Sequence, residues 1–340
     1  MNKLVGLICP QCREALADTQ EGVVCPACEA QYTYNEGILS FLTPEDRYNE
    51  TSYEEHQISN WLQTSDLRRQ IRANRMLSLL NSLRIRFSLS GRRDRVFFKE
   101  LARSSKASPI ILDLGCGGGR HYFCQFGRVV GIDPVMPLLQ RAKELYNEVY
   151  QCNGFRLPFA DESFDYVVST DVIGHLENKD KDQLFSEIYR VLKKGGRTIH
   201  CSEALGDSPW WRFARSHPEL FQKYFIDIPG HVGMELPTEL RKRFLKHGFK
   251  EVRFSKLYSL IQEPGALSSS FDNEYREKCR YMRILVAIDK MLRRSLLVRE
   301  ALNLVLEPLA QLDDALTPLN YGGGLLTVHE KQNVSAMKQA

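Results

Sequence analysis

Residues 110–119, Ile-Ile-Leu-Asp-Leu-Gly-Cys-Gly-Gly-Gly, decide the fold. An apolar run that ends in Asp113 and breaks into glycines reads as a buried strand delivering a cofactor to a turn. Gly115, Gly117 and Gly119 permit positive φ and let backbone N–H groups approach a ligand with no Cβ in the way. Spacing bears on which cofactor. A dinucleotide fingerprint, G-x-G-x-x-G, needs its third glycine where Arg120 stands, and Asp113 would set a carboxylate near a pyrophosphate. S-adenosylmethionine (SAM) instead carries an ammonium and a sulfonium, which the same carboxylate attracts. Val129-Val-Gly-Ile-Asp133 is a second short buried strand ending in a carboxylate, placed to accept from both ribose hydroxyls. That second feature alone is shared with NAD sites.

Outward from this stretch, 340 residues with 43% hydrophobic content predict about two domains, at roughly 150 residues each, with a sizeable core. No run approaches the ~20 apolar residues of a membrane span. The opening Met-Asn-Lys-Leu-Val-Gly-Leu-Ile meets Cys9 too early for the apolar core of an export signal, so a cytoplasmic location is expected. The nine cysteines are then expected as thiols or metal ligands rather than disulfides.

Two further motifs, Arg156-Leu-Pro-Phe-Ala-Asp-Glu-Ser-Phe-Asp165 and Val191-Leu-Lys-Lys-Gly-Gly-Arg197, follow in order. From about Pro109 to Arg197 the chain resembles the class I SAM-dependent methyltransferases of the type 11-like group. The resemblance implies an α/β fold, a doubly wound, Rossmann-like, seven-stranded and mostly parallel sheet, with SAM as cofactor. It also implies that Asp113, Gly115, Gly117, Asp133 and Thr170 line the cofactor site. Family habit puts an acidic residue three places ahead of Arg156; here Asn153 stands there, and its amide can accept from the adenine amino group. Strands are expected at 110–114, 129–133, 148–152, 164–169, 197–202 and 249–254, with helices at Pro137–Tyr146, Asp180–Leu192 and Thr238–His247. The last strand, Gly324–Glu330, comes about 70 residues after the sixth, which implies a helical insertion at about 262–320. There Tyr281, Leu285, Ile288, Leu292 and Leu296 recur at helical spacing, with Arg280, Arg283, Lys290, Arg293 and Arg294 nearby. A helix packed on its own domain is the expected reading; a lid, a dimer face or a membrane-surface helix are the alternatives.

Ahead of this region, Cys9-Pro-Gln-Cys12 and Cys25-Pro-Ala-Cys28 are two C-x-x-C knuckles twelve residues apart. Four thiolates close a tetrahedral sphere around one structural Zn2+ and leave no open position for catalysis. The segment to about residue 42 resembles the Trm112-like zinc ribbons found fused or bound to methyltransferases. A helical linker or cap over 43–108 separates it from the catalytic region at 109–332. From Asp66 to Lys106 twelve Lys or Arg stand against three acids, a balance of +9 in a chain whose net charge is +4. Such a face can track phosphate of RNA or of anionic lipid, or simply be solvated; few aromatics lie among the arginines for base stacking.

The sulfonium is already activated, so the protein needs chiefly to align an acceptor and remove its proton. His175 and His231 are the candidate bases. Cys201 reads as core, and the Asn-Pro-Pro-Tyr of enzymes acting on exocyclic base amines is absent. The aromatic stretch from Trp210-Trp-Arg-Phe213 to Phe225 either walls an apolar pocket or forms core. The favoured function is methyl transfer to oxygen or nitrogen of a small-molecule or lipid-linked acceptor. Alternatives are an rRNA or tRNA base methyltransferase gripping RNA with its zinc ribbon, and a non-catalytic SAM-binding adaptor.

Overall fold

The apolar runs around Asp113 become the centre of one sheet because strands buried on both faces must be apolar throughout. In the computed structural model, which describes residues 4–43, 58, 59, 62, 63 and 75–332, an eleven-stranded sheet runs from end to end. Four short strands come from the N-terminal ribbon: β1 (Ala17–Asp18), β2 (Gly22–Val24), β3 (Gln31–Asn35) and β4 (Ile38–Ser40). Seven follow: β5 (Ile110–Leu114), β6 (Arg128–Asp133), β7 (Glu148–Gln151), β8 (Phe164–Thr170), β9 (Leu192–Glu203), β10 (Phe249–Leu257) and β11 (Gly324–Lys331). Their order is β1-β2-β3-β4-β7-β6-β5-β8-β9-β11-β10. From β7 through β9 neighbours are parallel, and β11 runs antiparallel between β9 and β10. The seven expected strands are present, the fifth and sixth longer than their sequence signal.

Helices cover the faces. α1 (Arg75–Phe87) and α2 (Arg92–Leu101) lie between β4 and β5, α3 (Met136–Lys143) follows β6, and α4 (Lys181–Val191) follows β8. α4 shows why: Leu184, Phe185, Ile188 and Val191 recur on one stripe and are fully buried. After β9 come α5 (Pro209–Arg215), α6 (Pro218–Phe221) and α7 (Pro237–Lys246). The insertion between β10 and β11 holds α8 (Ala266–Phe271), α9 (Tyr275–Lys278), α10 (Arg280–Arg294) and α11 (Leu296–Leu316). No helix among the described residues is long and apolar enough to cross a membrane. Residues 64–74, part of the basic segment, lie outside the described residues.

Two expectations change. The ribbon is not packed apart from the catalytic region: its Val5, Val23, Tyr32, Leu39 and Phe41 share one apolar cluster with Leu112 of β5 and Phe159. β4 adds in parallel to β7, pairing Leu39 with Tyr150, and Phe41 N donates to Gln151 O at 2.7 Å. Second, α10 packs on its own domain, but through Met282 and Val286 rather than the expected stripe: Tyr281, Leu285 and Ile288 are exposed, Leu292 is half-buried, and the side chain of Leu296 lies outside the described residues.

Candidate functional site

The turn after β5 holds Gly115 at φ 63° and Gly117 at φ 52°. A Cβ on Gly115 would lie 2.5 Å from Val172 Cγ2, so a side chain there would have to displace Val172 in a left-handed conformation that favours glycine; nothing stands within 4 Å of a Cβ at Gly117, where the loop is open. β5 and β6 pair Asp113 with Gly131, which brings Asp113 and Asp133 to the same carboxyl edge of the sheet. Asp133 Oδ2 accepts from Gly117 N (2.8 Å) and Oδ1 from Val135 N (2.9 Å), and burial pushes its carboxyl up to about 6. Asp113 Oδ2 accepts from Tyr146 OH (2.6 Å), whose oxygen accepts from Arg120 N at 2.6 Å. Asn153 is buried after β7, its Oδ1 accepting from Phe155 N at 3.0 Å. Thr170 Oγ1, at the end of β8, is buried with no hydrogen-bond partner among the described residues. An open glycine turn between two carboxylates, with a buried hydroxyl to satisfy, fits the ammonium and ribose of SAM.

Beyond β8 a second group of side chains converges. His175, in the turn Ile173–His175, and His231, in the loop before α7, meet with ring centroids 4.9 Å apart. His175 Nδ1 donates to Gly230 O (3.0 Å), and His231 Nε2 lies 3.9 Å from Glu203 Oε1 at the end of β9. Burial lowers both histidines, His231 to about 4 with help from His175, so each ring is neutral at pH 7. Burial and the neighbouring Asp171 carboxylate push Glu203 well above the usual carboxylate range. Burial would raise Asp171 as well, but the Arg93 guanidinium holds it at about 2. Arg93 reaches in from α2 to pair with Asp171, and its Nε donates to Cys201 Sγ at 2.9 Å. Asp171 (φ 59°) and Tyr258 (φ 60°) both sit in the left-handed region that non-glycine residues rarely adopt.

Sequence reasoning found the two histidines but not Arg93, Glu203 or Tyr258. Glu203 was within reach, since it ends a strand at the carboxyl edge where α/β sheets bind ligands. Arg93 and Tyr258 carried no such mark.

Tyr258 leads into a cavity of about 410 Å³, within the size range of small-molecule sites. Trp210, Trp211, Phe225 and Phe271 wall it, and Tyr258, Glu263 and Arg299 are among its polar groups. Tyr258 OH donates to Glu263 Oε1 at 3.3 Å, and burial raises the Glu263 carboxyl. Of the aromatic segment, Trp210, Trp211 and Phe225 line this pocket, while Phe213, Phe221 and Tyr224 pack against a core cluster with Ala214, Phe271 and Tyr275.

At the opposite end of the sheet, the four ribbon sulfurs lie within 4.8 Å of one another. Cys9 Sγ is 3.6 Å from Cys28 Sγ and Cys12 Sγ 3.4 Å from Cys25 Sγ, near the ~3.8 Å between thiolates bound at ~2.3 Å to a tetrahedral Zn2+. The two knuckles share one backbone turn: Arg13 and Glu29 have φ 68° and 59°, and their N–H groups donate to Cys9 O and Cys25 O at 2.8 Å.

The strand order and the glycine turn between two strand-end carboxylates define an α/β fold of the nucleotide-cofactor-binding kind. The methyltransferase domain family matches residues 112–200. The demethylmenaquinone methyltransferase of Lactiplantibacillus plantarum is 33% identical over 173 residues, covering 43% of this chain and 72% of that protein. The "Probable tRNA methyltransferase 9B" of Homo sapiens is 33% identical over 103 residues, 30% of this chain and 23% of that protein. The chain thus spans about a quarter of the length of that relative. Among solved structures, the Haemonchus contortus phosphoethanolamine N-methyltransferase 2 bound to phosphomonomethylethanolamine and S-adenosylhomocysteine is 22% identical, with TM-score 0.44 over 71% of this chain and 53% of that one. The chain belongs to the methyltransferase domain family.

Proposed function

We propose that this enzyme methylates an oxygen or nitrogen of a small-molecule or lipid-linked acceptor seated in the aromatic cavity. The observation that carries the reading is that cavity, with Trp210, Trp211 and Phe225 for apolar contact and Tyr258 and Glu263 for orientation. SAM, when bound, supplies an electrophilic methyl group. Asp113, Gly115, Gly117, Asp133, Asn153 and Thr170 hold it; the two carboxylates serve its ammonium and ribose. One of the two neutral histidines, His231 or His175, accepts a hydrogen bond from the acceptor's O–H or N–H and takes its proton as the methyl group moves from SAM, leaving S-adenosylhomocysteine. Arg93 keeps Asp171 ionised and fixes the wall behind them. The four cysteines hold one structural Zn2+ in a ribbon over residues 1–42, the segment 43–108 serves as a linker or cap, and 109–332 carries catalysis.

A second reading, RNA as acceptor, draws on the relatives named as tRNA methyltransferases. Measuring S-adenosylhomocysteine release with separated lipid, small-metabolite and RNA fractions decides. The expected outcome is turnover with a lipid or small-metabolite fraction. Salt-sensitive turnover confined to RNA overturns the proposal and promotes the second reading.

A further inference from the structure

An ordinary surface helix turns its apolar side inward; α11 does the reverse. Over its 21 residues Glu307 and Asp313 are buried, while Leu297, Leu304, Val305, Leu309, Leu312 and Leu316 are exposed, Leu297 by 83% and Leu316 by 75%. The inward acids are all engaged. Glu307 and Asp314 take Arg92 at 3.6 and 2.6 Å, Asp313 accepts from Leu260 N and Ile261 N, and Glu300 accepts from the Ser88 and Ser90 hydroxyls at 3.2 Å. No charged side chain of α11 is left among its exposed positions.

The neighbouring α10, which contacts α11, also turns an apolar stripe outward, on which Tyr281 is 77% exposed. Its single acid, Asp289, is buried and accepts from Gly265 N and Ser268 N at 2.7 Å. Its exposed charges are cationic: Arg283 and Lys290 pair with Glu277 and Asp272, while Arg280 and Arg294 make no ion pair among the described residues. The surface is therefore apolar with a cationic flank and no outward acid on either helix.

We propose that α10 and α11 together form a face that lies on an anionic lipid surface. Apolar side chains enter the acyl boundary while the arginines meet phosphate headgroups, which is the composition of helices that rest in the interfacial plane rather than span it. Charge selects lipid over a second copy of the chain: self-pairing would set the cationic flank against a surface with no outward acid on these helices. Position agrees. Arg299 of α11 and Ala266–Phe271 of α8, which is tied to α10 through Asp289, both line the aromatic cavity, so the face borders its mouth. The inference stands on these two helices and does not depend on which acceptor the cavity takes.

The test is co-sedimentation of the full chain with vesicles of phosphatidylcholine containing phosphatidylglycerol, and with phosphatidylcholine alone. Binding is expected to the mixed vesicles and to be about tenfold or more weaker without the anionic lipid. Val305→Glu with Leu312→Glu should reduce binding about tenfold or more; both sites are exposed, so the melting temperature should hold. Arg280→Glu with Arg294→Glu should remove most of the preference for anionic vesicles. Native protein that sediments with neither vesicle overturns the proposal. So does a native dimer, seen by light scattering, that Val305→Glu with Leu312→Glu turns into monomer without any vesicle binding.

Discussion

The cofactor half of the molecule, from β5 to β7 with the ribbon beside it, and the acceptor half, from β8 to β11 with the insertion, are built on opposite plans. In the first, the groups that matter lie close in sequence. Gly115, Gly117, Asp113 and Asp133 fall within one strand-turn-strand unit, and backbone amides do much of the holding. In the second, Arg93, Asp171, Glu203, His231 and Tyr258 arrive from five distant segments and meet only through side chains. A local site tolerates change elsewhere in the chain; a convergent site depends on every element that delivers a side chain to it.

The largest expected effect lies at the ribbon edge of the cofactor half. Cys12→Ser should abolish the proposed zinc, since three thiolates hold the ion much less tightly than four, and a structural ion contributes several kcal/mol or more to folding. Because β4 pairs with β7, loosening should pass into Glu148–Gln151 and leave β10 and β11 unaffected. Metal analysis together with amide hydrogen exchange reads both. Full zinc content in the variant, or equal loosening of β7 and β10, breaks the contrast between the halves.

Next comes the cofactor itself. Asp133→Ala removes the proposed ribose acceptor and also frees Gly117 N and Val135 N, so SAM binding should weaken by about 2–5 kcal/mol, some thirtyfold to several thousandfold. Arg93→Met should change SAM affinity by less than about threefold while turnover falls, because Asp171 and Glu203 are then left facing one another without their ion-pair partner, with only the more distant Arg120 charge remaining. Calorimetry and turnover on the two variants separate the halves; equal losses of SAM affinity would show them to be one site.

The same contrast explains what could be read from the sequence. The glycine turn and both strand-end carboxylates were legible because period, spacing and turn chemistry are local signals. The cysteine ribbon was legible as a cluster, but its attachment to β7 was not, since parallel pairing between residues 39 and 150 leaves no local trace. His175 and His231 were picked out singly; that they touch follows from the 55-residue path through β9 and the aromatic helices. Arg93 was hidden more deeply, counted among the arginines of a basic segment when its guanidinium turns inward to Asp171. The α11 surface misleads in the opposite sense. An apolar stripe implies burial only when the polar face has no better partners inside, and here Arg92 and Arg95 supply them.

The smallest expected effect lies inside the acceptor half, where β9 and β11 carry two buried neutral histidines side by side. Burial pushes His200 and His329 down to about 3, with the neighbouring His329 adding to the first and Arg241 to the second. His200 is held between Ser169 Oγ (2.7 Å) and Thr198 Oγ1 (2.5 Å), whereas His329 has no hydrogen-bond partner for either ring nitrogen among the described residues and stacks on Phe244 at 3.9 Å. Above pH ~6.5 both rings are neutral, folded or unfolded, and no stability is lost. As pH falls below ~6.5 toward 3 the unfolded chain takes up protons that the folded chain refuses, so each ring costs about 1.4 kcal/mol per pH unit once well below that point. Asp133, raised to about 6, is protonated in the folded state over part of the same range and works in the opposite direction, so the difference between two proteins is the quantity to measure. His329→Phe preserves the stack on Phe244 and removes one titrating ring. Its urea midpoint relative to native should be nearly constant from pH 8 to 7 and should rise by the equivalent of about 1 kcal/mol on going from pH 6.5 to 5.5. A relative stability that stays flat across that window would mean that water reaches His329 and that this part of the acceptor half is looser than its packing implies.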